Sequence, residues 1–535
     1  MAVLLKDIKL PVGAERFELP ACVAQQFKLP KEAVQTVRIV RQSLDARRKN
    51  DIHFLIHAVV QVEDVWQAKL LKSGDRRVEA HEQPEAYELV QGTKTPEGRI
   101  VVAGFGPAGM FAAYYLAKHG YKPLVIERGA NVEKRTEAVE HFWSGGSLDE
   151  NNNVMFGEGG AGTFSDGKLT SRSKNPRSSV VLDTFVDNGA PEEIAFKAKP
   201  HIGTDKLKLV VKNMREKILR AGGEIRFETK LSDIECKDGR LTHAVMETNG
   251  TKERVECAAL ILAVGQAARD TYRLLLSHGV ALQPKPFAVG LRIEHPQGLI
   301  DRAQFGELAG HPRLGAAEYR LSAKSGGRGV YTFCMCPGGS VVASSSGQNE
   351  VVVNGMSVHA RNGENANSAV VVQVGPDDFG HEPLSGVRFQ ETLEKQAFQA
   401  GSGAYMAPAQ RLEDFMSGKK SKAFMSVQPT YRPGVEMAVL NDILPGFVAQ
   451  GIQESIPAFA RQLKGFDYKD AVLTAVESRT SSPVRIIRGE DMQTPAIKGL
   501  FPVGEGAGYA GGIVSAAIDG LMACEKIAAV YKPLS

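Results

Sequence analysis

The stretch that most constrains this chain is Gly104-Phe105-Gly106-Pro107-Ala108-Gly109. It is preceded by the apolar run Ile100-Val101-Val102-Ala103, which reads as a buried parallel strand. It is followed by Ala112, Ala113, Leu116 and Ala117 at helical spacing, with Gly120 as a stop. Pro123–Glu127 then reads as a second strand, so the segment is a βαβ unit. Within it Gly104 allows a sharp turn and Gly106 lets the backbone approach a pyrophosphate. Gly109 lets helix and strand pack closely. Pro107 suits a first helical turn, and Ala108 follows it at the end that faces phosphate. Glu127 lies 23 residues after Gly104, where a carboxylate accepts hydrogen bonds from ribose hydroxyls, and Arg128 is next to it. The expectation is a dinucleotide site.

A second glycine-rich segment lies near the C-terminus. Gly499–Ile513 reads as strand, acid, turn and helix, with Gly504, Glu505, Gly511, Gly512 and Ile513 as candidate cofactor residues. It resembles the second FAD signature of glutathione-reductase-like flavoproteins, in which an acid holds the ribityl chain. Here Glu505 stands where that family has Asp. Ala259–Gly265 resembles the apolar strand that passes the cofactor in the same superfamily, ending at Gly265. The loop Phe156–Lys168, with Gly160, Gly162, Gly167 and Lys168, has the glycine content that close approach to pyrophosphate or flavin requires. No second strand–GxGxxG–helix unit is found, since Gly401-Ser402-Gly403-Ala404 lacks the third glycine and the strand. A built-in NAD(P)H domain is therefore not expected, although NADH or NADPH remains a candidate transient donor.

At 535 residues the chain is long enough for about three domains. The expected architecture is α/β: a Rossmann-like FAD-binding domain of glutathione-reductase type over 98–284 and 480–535, interrupted by a mixed-sheet substrate or cap domain over 285–479. A small N-terminal α+β domain, ferredoxin-like, is expected over 1–97. In it, strands are read at Val3–Leu5, Ala33–Ser43 and Ile52–Val62, a helix at Ala21–Phe27 and another element at Gln83–Leu89. Farther on, strands are expected at Phe287–Ile293, Val330–Met335, Ser340–Ala343 and Ala369–Val374. Helices are expected over 388–400, 467–478 and 513–530.

The six cysteines are scattered, as in a reducing compartment, and CxxC is absent. No secretory signal or uncharged span of membrane length is read, so a cytoplasmic protein without membrane contact is expected. The net charge of +4 does not argue for nucleic acid. Arg38, Arg41, Arg47, Arg48 and Lys49 make the N-terminal region locally basic and read as a solvated turn in preference to an RNA surface. No His, Cys or carboxylate cluster has metal-ligand spacing.

The whole pattern is similar to a bacterial family of FAD-dependent dehydrogenases without an assigned substrate. The residues that carry the likeness are 41–48, 104–109, 153–168, 289–296, 332–339, 354–357 and 504–512. The resemblance implies FAD and an oxidoreductase acting on a small molecule. An RNA-modifying flavoprotein and an electron-shuttle protein are the alternatives. Cys334 and Cys336 are the candidate chemical residues beyond the cofactor. On an extended strand they fall on one face, and two small buried apolar side chains are the preferred reading. His295 beside Glu294 is a weaker candidate acid or base.

Overall fold

The computed structural model describes residues 2–82, 86–170 and 175–534. The N-terminal region folds into an antiparallel sheet in the order Val34–Asp45, His53–Val62, Ala2–Pro11, Val78–Ala80. Two helices, Leu19–Phe27 and Asp64–Lys72, join its strands. Alternate apolar residues on the central strands, among them Val3, Leu5, Ile56, Ala58 and Val60, are buried against Leu19, Val23 and Leu70. The expected helix and strands are present, the helix and the first strand with longer bounds and the strands at Val34–Asp45 and His53–Val62 each starting one residue later, while Asp64–Lys72 and Val78–Ala80 were not read from the sequence. The element expected over Gln83–Leu89 falls partly on 83–85, outside the described residues; 86–89 form no regular element. The outer strand Val34–Asp45 docks on the rest of the chain through Gln42, whose N–H donates to the Phe196 carbonyl at 2.7 Å and whose carbonyl accepts from Ala198 at 2.8 Å.

The second sheet begins at Arg99. Five strands run parallel in the order Glu224–Arg226, Leu124–Ile126, Arg99–Ala103, the end of Thr251–Leu262, and Leu500–Pro502. Apart from the half-buried edge strand Glu224–Arg226, their side chains are buried on both faces, which explains the near-continuous apolar sequence of Ile100–Ala103 and Ala259–Leu262. The first half of Thr251–Leu262 turns away and pairs antiparallel with Arg240–Thr248, which pairs with Thr229–Lys237. The helices Pro107–Lys118 and Ile513–Ala528 pack together on one face of the parallel strands in a shared core. The chain leading into Arg99 is tied to the end of the latter helix, where Lys94 N–H donates to Val530 and the Lys94 carbonyl accepts from Lys532.

A third sheet orders Ser322–Ser325, Arg328–Cys336, Asn365–Val374, Phe287–Pro296, Val472–Glu477, Ala407–Arg411 and Val435–Met437. Helix Gly446–Gln462 covers it, burying Val448, Ile452 and Phe459. The helix expected over 467–478 is not formed. Val472–Glu477 is an interior strand with every residue buried. Burial on both faces removes the alternation that marks a half-exposed strand, and an apolar run of this length then fits either period. The helix over 388–400 is present as Ser385–Ala400, and the final helix ends at Ala528.

Candidate functional site

One extended cavity lies where the parallel strands end, walled by the glycine-rich segments and by the third sheet. Its first wall is the turn after Arg99–Ala103. Gly104 has φ +97°, a left-handed conformation, and an added Cβ would meet the Ala263 carbonyl at 2.4 Å. Gly109 does not line the cavity; a Cβ there would sit 2.0 Å from the Gly104 carbonyl, so its hydrogen is what lets the helix reach the strand. Gly106, Pro107 and Ala108 open onto the cavity at the start of the helix. Gly160 faces Gly106 from the second loop with φ +61°, and a Cβ added to Gly160 would stand 2.9 Å from the Gly106 Cα, whereas one on Gly106 would make ordinary contact with Gly160 at 3.7 Å. Two bare backbones thus form a cradle that side chains would fill.

Glu127 and Arg128 line the same cavity. The Glu127 carboxylate is 5% exposed and accepts three backbone N–H groups: Phe105 at 2.7 Å, Gly129 at 2.9 Å and Gly157 at 2.9 Å. A carboxylate has about four acceptor positions, so one is left for a hydroxyl in the cavity. Arg128 pairs with Asp270 at 2.9 Å and stacks on Phe156 with its guanidinium 4.4 Å from the ring centre.

The second loop is organised from beneath by Arg135, which sequence reading missed. It is fully buried in helix Val132–Trp143 and donates to the carbonyls of Asn153 (2.9 Å), Val154 (2.8 Å) and Glu158 (2.6 Å). Burial lowers its pKa to about 10. Glu158 receives the Val132 N–H and Arg215, both at 2.7 Å, and burial raises it to about 7. These contacts present Gly160, Gly162, Gly167 and Lys168 to the cavity. The Lys168 ammonium is engaged by the Met335 carbonyl, so this residue clamps the third sheet as well as lining the cavity.

Gly265, Gly504, Glu505, Gly511, Gly512 and Ile513 complete the opposite end. Asp519 accepts the Gly504 N–H at 2.7 Å and is held by Arg488 at 2.7 Å. Glu505 accepts from the Gln266 amide at 2.8 Å; burial raises its pKa to about 7, and Lys285 acts in the opposite sense. Gln266, Asp519 and Arg488 join residues brought together from distant parts of the chain, and no local pattern marks them.

The third sheet contributes Phe333, Cys334, Cys336 and Glu477; Gly355 comes from a separate pair of strands, Ser340–Ala343 and Val353–Met356, and Arg479 from the segment after Val472–Glu477. The extended geometry expected at the cysteines is not what forms. Cys334 has φ +43° and is exposed to the cavity, whereas Cys336 is 2% exposed. Only Cys336 is the buried thiol expected, and its surroundings are polar: Sγ lies 3.4 Å from Arg292 Nη2 and donates to the Cys334 carbonyl at 3.3 Å. Although it faces the cavity, the protein walls around it desolvate the Cys334 thiol and raise it to about 12, with Arg292 acting in the opposite sense. Arg479 is held by Glu394 at 2.7 Å and Glu350 at 3.3 Å, and Arg269 contacts the same two carboxylates.

His295 is not part of the site. It is fully buried on the opposite face of its strand from Arg292 and Glu294, and its Nε2 meets the Phe466 carbonyl at 2.8 Å. Burial lowers its pKa to about 4, and Glu294 bonds to Thr430 and Asn365. The basic residues Arg38, Arg41, Arg47, Arg48 and Lys49 do not line the cavity, and Arg47 pairs with Asp45. Among the described residues no group of three His, Cys, Asp or Glu could hold a metal, and no helix is long and apolar enough to cross a membrane.

The chain matches the model of the FAD-dependent protein C-terminal domain over residues 286–480, and a domain of unknown function over residues 5–61. An uncharacterized protein of Clostridium beijerinckii is 46% identical over 532 residues, 98% of each chain. The thiamine thiazole synthase of Sulfolobus acidocaldarius is 69% identical over 32 residues, 6% of this chain and 12% of that protein. Similar solved structures include a triple mutant of the flavin-dependent brominase Bmp2 (13% identity, 81% of this chain and 80% of that one, TM-score 0.34). CtdE in complex with FAD is another (10% identity, 80% of this chain and 83% of that one, TM-score 0.30). Likenesses this remote leave the chemistry to the site itself. The glycine cradle, the matched domain and the near full-length relative together mean that the chain belongs to the same family as the C. beijerinckii protein, a family of FAD-dependent proteins, and that its cofactor is FAD.

Proposed function

We propose that this protein is an FAD-dependent oxidoreductase acting on a small organic molecule. Its FAD-binding part is of the glutathione-reductase type, spanning 98–284 and 480–535. Residues 285–479 close the substrate side, and a ferredoxin-like module covers 1–97. The observation that carries the reading is the facing pair of bare backbones at Gly106 and Gly160, at the mouth of helix Pro107–Lys118. FAD fits this cavity: its diphosphate would be held by the backbone of Gly106–Ala108 and Gly160–Gly162. Its adenosine ribose would be held by the free acceptor position of Glu127. Its ribityl chain would be held by Glu505 and the turn at Gly511–Ile513.

When bound, FAD supplies two-electron transfer at its ring system. The chain's residues do the rest. Arg135 and Glu127 fix the loops, so their N–H groups need little reorganisation when the diphosphate arrives. Glu505, whose burial raises its pKa to about 7, gains and loses its proton near neutral pH and, with Gln266, would hold the ribityl hydroxyls. Phe333 and Val353 give the cavity an apolar wall that would keep water from the ring. NADH or NADPH is the proposed transient donor. The test is anaerobic mixing of FAD-loaded protein with NADH, NADPH and a panel of reduced organic acids, alcohols and thiols. Bleaching of the flavin band by at least one donor supports an enzyme. Resistance to every donor, in protein whose flavin dithionite does reduce, contradicts it.

A further inference from the structure

We propose that Cys334 and Cys336 form a redox-active dithiol that exchanges two electrons with the flavin, a role that rests on the reading above. Strand Arg328–Cys336 pairs regularly with Asn365–Val374 up to Phe333 and Ala369, then resumes at Cys336 and Asn367. Three steps on one strand oppose two on the other, so a bulge begins at Cys334. Its left-handed backbone, φ +43°, is one a side-chain-bearing residue adopts at a cost. The bulge sets both cysteines on the wall of the cofactor cavity.

Two cations hold this bulge. Lys168 reaches across from the glycine loop to the Met335 carbonyl. Arg292, fully buried, donates to the Cys334 carbonyl and lies 3.4 Å from Cys336 Sγ. The guanidinium is fixed by Asn367 at 2.8 Å and Glu477 at 3.1 Å. Gly355 leaves room for it, since a Cβ there would stand 2.1 Å from Arg292 Nη2. A permanent positive charge is thus built against a thiol where a transient thiolate needs it. Burial raises both thiols and Arg292 opposes that rise, so the resting pair keeps its protons.

The exchange balances within the site. Two S–H bonds break and one S–S bond forms. The two electrons pass to oxidised flavin, and the two protons go with them to give the fully reduced, neutral ring. The reverse step regenerates the dithiol. A disulfide across one intervening residue is strained, and strained disulfides are the easily reduced ones, which suits a pair that cycles.

The test is an anaerobic dithionite titration of FAD-loaded protein previously oxidised with ferricyanide, together with iodoacetamide labelling of the 334–336 peptide. The wild-type protein is expected to take up about four electrons per FAD, and Cys334→Ser and Cys336→Ser about two. When the protein is unfolded in denaturant so that the buried Cys336 is reached, labelling of both cysteines is expected only after reduction. Wild-type protein that takes up about two electrons, with both thiols open to labelling when oxidised, overturns the dithiol and leaves the flavoprotein reading intact. This result needs no variant to fold. Protein that holds no FAD overturns both.

Discussion

The Glu127 carboxylate accepts the Gly157 N–H at 2.9 Å, so the acid at the end of one strand fastens the second glycine loop to the first. The same carboxylate receives Phe105 N–H from the Gly104–Gly109 turn. Glu127→Gln keeps the shape but turns one oxygen into a donor facing backbone donors. The expected result is FAD affinity weaker by about 10–100-fold, from about 1–3 kcal/mol of lost hydrogen bonding. Equilibrium titration of the stripped protein with FAD measures it.

Arg135 satisfies carbonyls that no other donor is positioned to reach together. Arg135→Met retains much of the side-chain volume and leaves the Asn153 and Val154 oxygens unpaired, at about 1–3 kcal/mol each, while Thr163 Oγ1 still donates to the Glu158 carbonyl at 3.2 Å. We expect stability to fall by at least about 2 kcal/mol and the bound flavin to dissociate during purification. Denaturant unfolding and the absorbance ratio of flavin to protein check both.

How far the site was legible follows from where each contact is encoded. The Gly104–Gly109 turn, Glu127 and the Gly504–Ile513 segment carry their geometry locally: a turn, a helix start and a strand end within a few residues. They were read from the sequence and line, or in the case of Gly109 shape, one cavity. Arg135, Arg292, Gln266 and Asp519 work through partners supplied by the tertiary fold. Arg292 meets Glu477 185 residues away, and Gln266 meets Glu505 239 residues away. No periodicity records such pairs. Val472–Glu477 was misread because complete burial erases the alternating pattern. His295 was misread because its strand turns it into the core, away from Arg292.

Gly109→Ala tests the helix approach. The added methyl would meet the Gly104 carbonyl at 2.0 Å, and backbone cannot rotate away as a side chain can. The expected loss is about 1–3 kcal/mol of stability with weakened FAD retention. Thermal melts with and without added FAD report both effects.

Glu505 gives a pH dependence. Its pKa is about 7 in the folded protein, above the ~4.3 of an unfolded glutamate. The folded state therefore holds the proton more tightly. The associated stability is present below about pH 4 and is lost as pH rises towards 7. In flavin-free protein, Glu505→Gln lacks this term. Wild type is expected to fall behind the variant by the order of 2 kcal/mol between about pH 5 and pH 8. Parallel denaturant curves across that range would show it, and curves with a constant offset would not fit.

The most direct measurement is cofactor stoichiometry, with mass identification of what the protein releases on denaturation. Wild-type protein should be yellow, release FAD near one equivalent per chain and rebind it after stripping, whereas Gly106→Trp, which fills the cradle facing Gly160, should fold and remain colourless. Well-folded wild-type protein that is colourless and refuses added FAD, or a Gly106→Trp variant that binds FAD as well as wild type, would contradict the account.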